Sequence, residues 1–224
     1  MSHFAVLVLS NPDQSIDDLL LPYMENCCGQ PPMQYMEFYE DEYCDVDEAT
    51  GKRGYWQNPN AKWDWFVIGG RFCGMLKANH GYRANGYLEE TGKYPSNRYD
   101  QAVLRDCDFS KDEQAYNHAL REWEACIDGD CDGAARMMQF YPLRGEGIKR
   151  RFGTKENYAK HEATWSTWAV ITPDGEWHEC GKMGWWGLST ATDEEELDWV
   201  RNFKTRFIDN ADPDLIATVV DCHI

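Results

Sequence analysis

The sequence predicts an α+β fold, a single domain over residues 1–224 with helices packed on a mostly antiparallel central sheet that includes both terminal strands. Uninterrupted apolar runs stand near each end, Phe4-Ala5-Val6-Leu7-Val8-Leu9 and Leu215-Ile216-Ala217-Thr218-Val219-Val220. A strand that is apolar on both faces must be covered on both faces, so each run belongs inside a sheet, and the chain ends should meet there. A hairpin signal in the middle of the chain, with helical segments on either side, favours this arrangement over a doubly wound sheet.

Along the chain, Ser10-Asn11-Pro12 ends the first strand. Residues 13–52 are acidic and aromatic, carry Pro31-Pro32 and the run Glu37-Phe38-Tyr39-Glu40-Asp41-Glu42-Tyr43, and read as an irregular excursion. In NPNAKWDWFVIGGR, the segment Phe66-Val67-Ile68 has strand character. Side chains alternate there, so Trp65 and Val67 share one face and Asp64, Phe66 and Ile68 the other, with Val67 and Ile68 expected in the core. Gly69-Gly70 then breaks the ladder and leaves room for a ligand or another backbone, and Arg71 reaches into that gap or pairs with Asp64.

Residues Asn79 to Asp100 read as loop or edge hairpin. Ser110 and Glu113 have capping-box spacing before a stripe of Tyr116, Leu120, Trp123 and Ile127. Trp165 to Thr172 is rich in strand formers and meets the turn Pro173-Asp174-Gly175, so a hairpin through Glu179 follows. The last helix opens with Thr192 and Glu195, turns Leu197, Val200, Phe203 and Phe207 inward, and ends near Lys204 and Arg206, which suit its dipole.

A net charge of -17 and a pI near 4.6 argue against general binding to nucleic acid or anionic membrane, which recruit Lys and Arg clusters. The acidity is explained by solubility, or by a surface that faces a basic protein, DNA mimicry included. No apolar run approaches the roughly 18 residues that span a bilayer. Nine cysteines, with Cys27 and Cys28 adjacent, no leader-like start and no CxxC pair, fit a reducing cytoplasm and exclude a zinc ribbon.

Walker, GxGxxG, GxSxG and HExxH motifs are all missing, and no cofactor is implied. Asp128-Gly129-Asp130-Cys131-Asp132-Gly133 matches the first half of a calcium loop, but Gln139 stands where the bidentate Glu belongs, so a polar turn is expected and no metal site. Cys180 to Gly187 alternates glycines with bulky residues, offering Lys182 as a charge and Trp185 as a flat face, or simply a tight core-plugging connection. Ten tryptophans exceed what a core needs, since each buried indole N–H wants a partner. Asp221 and His223 end the last apolar strand and should lie near His3, as acid–base groups, metal ligands or hydrogen-bonded histidines at a sheet end.

The blocks SHFAVLVL, NPNAKWDWFVIGGR, GKMGWWG and TVVDCHI, in this order, resemble a family of tailed-bacteriophage proteins. The likeness covers both ends and about the middle third. It implies a viral protein made in a bacterial cytoplasm and supplies neither an activity nor catalytic residues; a role against host defence follows by analogy alone. Three functions stay open, of which binding without chemistry is favoured, because the aromatic and basic groups are clearer than a nucleophile with its base. In the first, Trp63, Trp65 and Trp185 stack on a base while Arg71 and Lys182 hold phosphate, sequestering a small nucleotide-like ligand such as a defence signal. In the second, His3, Asp221 and His223 add hydrolysis of that ligand. In the third, an acidic inhibitor binds protein through residues 13–52. Self-association into a homo-oligomer is compatible with each.

Overall fold

A computed structural model describes residues 2–25, 31–84, 90–94, 96–126, 144–183 and 188–224. The elements within them are β1 (His3–Ser10), α1 (Ile16–Leu20), β2 (Glu37–Glu40), β3 (Gly54–Gln57), β4 (Trp65–Ile68), β5 (Leu76–Lys77), β6 (Arg98–Tyr99), β7 (Gln101–Val103), α2 (Glu113–Cys126), α3 (Arg144–Phe152), α4 (Lys155–Glu162), β8 (Ala169–Ile171), β9 (Trp177–Glu179), α5 (Asp193–Phe207) and β10 (Ile216–His223). The class is α+β. Two compact units are separable: residues 1–107, 167–190 and 211–224 form one, residues 108–166 and 191–210 the other.

The first unit carries the main sheet, ordered β4-β10-β1-β8-β9, with β7 sharing the outer edge of β10 with β4. β1 and β10 pair antiparallel over their whole length, from His3 opposite His223 to Ser10 opposite Ile216. Ser2 and Ile224 extend the ladder with reciprocal bonds of 3.0 and 3.1 Å. Only the β1–β8 pair is parallel among these strands, so the sheet is mostly antiparallel. Both long strands are buried from Phe4 to Ser10 and from Ala217 to His223, as their apolar runs require. Phe4, Val6, Val8, Val220 and Cys222 pack on one face with Leu20, Trp63 and Ile171.

Several local expectations are met in detail. β8 and β9 form the hairpin, with Gly175 at φ +86° in its turn. Among the described residues, 13–52 hold only the short α1, two single turns of 3₁₀ helix and β2, which pairs with β3 in a separate ribbon. The described residues of 79–100 are mostly irregular, and β5 and β6 pair as a short ribbon.

The second unit is helical. Trp123, Ala119, Phe152, Tyr158 and Ala159 make its small core, with Tyr116, Leu120 and Leu197 against it. α2 starts later than Ser110 suggests. Asp112 caps it, accepting from the amides of Gln114 and Ala115 at 2.9 and 3.0 Å, while Ser110 only closes a turn on Asp108. α5 has the expected capping box, Thr192 with Glu195. Its most buried residues are Phe203 and Trp199, the latter absent from the expected stripe, and both stack edgewise with each other.

No helix among the described residues is long and apolar enough to cross a membrane. The calcium-like loop Asp128 to Gly133 with Gln139, the helical position Ile127, the pair Cys27-Cys28 and Trp185 lie outside the described residues.

Candidate functional site

Antiparallel register decides which side chains meet at the end of the sheet. His3, His223 and Trp65 are direct partners across β1, β10 and β4, so they stand in one row on one face. Two residues further along the same face, Ala5, Asp221 and Val67 form the next row, because alternation returns each strand to the same side after two residues. Asp221 is thereby diagonal to His3, and its Oδ1 lies 2.8 Å from His3 Nδ1. At the start of β4, Asp64 bonds backbone to backbone with His223 and places its own Oδ1 2.7 Å from His223 Nδ1.

The result is two His–Asp dyads side by side. The imidazole centroids are 5.0 Å apart and nearly perpendicular. Trp65 stacks on His223 at 5.0 Å with an interplanar angle of 14°, and meets His3 edge-on at 5.2 Å. A carboxylate can only accept, so each Nδ1 carries a proton, and Nε2 is the ring nitrogen that no carboxylate engages. This is the orientation a carboxylate imposes on a catalytic histidine, and equally on a metal-ligating one. Among the described residues, however, no group of three or more His, Cys, Asp or Glu side chains is arranged to hold a metal ion.

The glycine pair serves this cluster. Gly69 and Gly70 have φ of +75° and +52°, a region that costs an L side chain strain. A Cβ on Gly70 would lie 2.5 Å from Asp221, and one on Gly69 would lie 2.7 Å from Asp100. The space that the sequence offers to a ligand is therefore filled by two carboxylates. With Gly70 folded over it, Asp221 accepts the Arg71 amide on Oδ2 at 2.8 Å, which uses its second oxygen. Asp100, fully buried, accepts from the amides of Gly74 and Ala84 and from the Tyr94 hydroxyl at 2.6 to 2.7 Å. Burial, with the Asp100 carboxylate next to it, pushes the Tyr94 phenol well above its ordinary value.

The proposed ligand-binding residues do not form one wall. Trp65 is on the dyad face and 39% exposed, and Arg71 is held to Asp221 by its amide while its guanidinium is exposed and has no ion-pair partner among the described residues. Arg71 does not pair with Asp64, whose partner is His223. Trp63 is core: only 4% exposed, it donates its indole N–H to the Leu20 carbonyl at 3.1 Å and packs with Phe66 on the opposite face. Strand alternation fails to carry Trp63 to the side of Trp65 because residue 63 precedes β4 and pairs with Met24. Lys182 follows β9, the far edge of the sheet, roughly 19 Å from β4 at four strand spacings.

Val67 corrects an expectation. It is 43% exposed, while Phe66 and Ile68 are the half-buried members, because β4 is an edge strand with its core-facing side set by Phe66. Sequence reasoning also left Asp64 outside the catalytic set and Asp100 without a role. The signal for Asp64 was its place one residue before the strand partner of His223, which no sequence pattern specifies.

Comparison with family models, with curated proteins and with solved structures returns no match for this chain.

Proposed function

We propose that the paired dyads are a general acid–base centre that acts on a small nucleotide-like phosphate ester. The supporting observation is the pair of adjacent imidazoles, each with Nδ1 fixed by its own carboxylate and Nε2 left for proton transfer. One imidazole, neutral, takes a proton on Nε2 from the attacking water, and the other, entering as imidazolium, gives its Nε2 proton to the departing oxygen, so the ester is cleaved with the pair's proton count unchanged and the two rings' roles exchanged. Arg71 supplies the phosphate fork and the exposed part of Trp65 a surface on which a base stacks. On the resemblance to tailed-phage proteins, the substrate class is a host defence nucleotide. Sequestration is the form of this reading in which the same groups bind without turnover.

One observation favours a scaffold role instead. His223 and Asp221 are almost fully buried, so His3–Asp221 also ties β1 to β10 and His223–Asp64 ties β10 to the start of β4.

The test is incubation with a panel of cyclic and linear nucleotides, with mass spectrometry of the bound fraction and of the supernatant. Wild type is expected to convert at least one nucleotide, and His3→Asn or His223→Asn to lower the rate by about 10² to 10⁴-fold while retaining a cooperative thermal transition. Arg71→Ala should weaken ligand binding by about 2 kcal/mol with little effect on stability, since its side chain is exposed. Intact ligand retained by wild type selects sequestration. Folded histidine variants that convert or bind every nucleotide as wild type does would place the function elsewhere.

A further inference from the structure

The second unit holds a cavity of about 380 Å³ between α3, α4 and α5 whose charge is opposite to that of the chain. Lys111, Arg151, Lys160, His161 and Arg201 line it, and among the described residues no Asp or Glu side chain does. In a protein of net charge -17, five basic side chains around one hollow are not what a solvated surface produces.

Their partners are incomplete. Lys160 and Arg201 make no ion pair and no side-chain hydrogen bond among the described residues. Lys111 pairs with Glu113 at 2.9 Å and lies 3.9 Å over the Tyr116 ring. Arg151 bonds Glu196 at 2.5 Å and Asp193 at 3.2 Å through its terminal nitrogens, yet its Nε is buried without a partner. His161 faces Glu162 through Nδ1 at 3.3 Å, and its Nε2 is likewise buried and unpartnered. Buried polar atoms are nearly always hydrogen-bonded, so two such orphans on the lining of one cavity need an explanation. Both atoms are closed to solvent, so they mark a local shortage of acceptors beside the cavity, and the donors open to an acceptor-rich anion are the exposed Lys160 and Arg201.

We infer that this cavity binds a phosphoryl group, as inorganic phosphate or as a small organic phosphate. The volume falls in the range of small-molecule sites, roughly 300 to 1,000 Å³. Guanidinium and ammonium groups together suit a tetrahedral anion, Arg giving paired N–H donors and Lys a point charge. Leu197 and Val200 provide an apolar wall that a bare ion would not use and an organic substituent would. The site is separate from the His–Asp dyads, which belong to the other unit.

Isothermal titration of the full chain with inorganic phosphate, adenosine monophosphate and adenosine tests this. Phosphate or the monophosphate should bind at one site per chain, and adenosine should not. Lys160→Ala combined with Arg201→Ala, both exposed positions, should weaken that binding by about tenfold or more without moving the thermal transition measured in phosphate-free buffer. Tighter binding of the monophosphate than of phosphate identifies the organic ligand as the source, and equal binding identifies the free ion. Absence of binding at millimolar concentration, equal binding of adenosine, or unchanged affinity in the double variant would each overturn the assignment.

Discussion

Asp221 shows how one side chain is made to do two jobs at once. It is almost fully buried, and a buried carboxylate must be satisfied or it costs several kcal/mol. His3 takes one oxygen and the Arg71 amide the other, and the second bond exists only because Gly70 lets the backbone turn over the carboxylate. Gly69 does the same for Asp100. Gly69→Ala is therefore expected to cost about 2 to 4 kcal/mol, combining positive-φ strain with a clash against a buried carboxylate, as read from urea denaturation. A cost near zero would mean that Asp100 can move aside freely. That glycines punctuate the chain after Ile68 was legible in the sequence; that carboxylates from residues 100 and 221 fill the gaps was not, because such contacts are fixed by tertiary register. The same limit applies to Trp63 and Trp65. Two indoles two residues apart look alike in sequence, and only the pairing of residue 63 with Met24 sends one into the core and leaves the other beside histidine.

At the scale of elements, local chemistry reads well where one motif suffices. The Thr192 and Glu195 box was legible because both partners lie within one turn, and hydrogen bonds from Thr192 hold the Glu195 carboxyl below its usual value. Thr192→Ala is expected to cost about 1 kcal/mol of stability by chemical denaturation. Because the Glu195 value is depressed in the fold, first by the Thr192 amide and then by its hydroxyl, the contribution is present above the ordinary Glu range and is lost as pH falls through the folded value, so the gap between wild type and Thr192→Ala should narrow in acid by the hydroxyl's share, while the cap bond from the Glu195 amide keeps the rest. A difference that persists unchanged there would remove the charged box from the explanation. Where two caps compete, as Ser110 and Asp112 do, spacing alone picks the wrong one, since Asp112 sits directly before the first helical residue and reaches two amides. β4 misleads in a related way. Its alternation is readable, but which of its faces is dry depends on its being an edge strand beside β10.

For the whole molecule, the legible part was the pair of buried strands, because a doubly apolar run admits one environment. They hold the sheet together and bring both candidate histidines to one end of it. Cys222 belongs to the dry face of that sheet, and burial, with Asp221 and Asp64 adding to it, raises its thiol well above the ordinary value of 9.0; burial raises Cys107 to about 12. A raised folded value stabilises fully below 9.0 and is lost as pH climbs from there through the folded value. The urea midpoint should then hold up to pH 9.0 and fall above it, with a flatter alkaline decline in Cys222→Ala. An alkaline decline that is the same in the variant would assign it to other groups. What stayed illegible is the location of function, because the residues that meet at the dyads come from positions 3, 64, 65, 221 and 223 and meet only through register. The central claim is that these imidazoles meet a ligand, and long-range ¹H–¹⁵N spectroscopy of His3 and His223 tests it most directly. The dyad geometry predicts a proton on Nδ1 of both rings and a shift of at least one Nε2 resonance when a nucleotide that the protein binds or converts is added. Rings whose Nε2 resonances stay unchanged at saturating nucleotide would contradict it and leave the dyads as ties between β1, β10 and the start of β4.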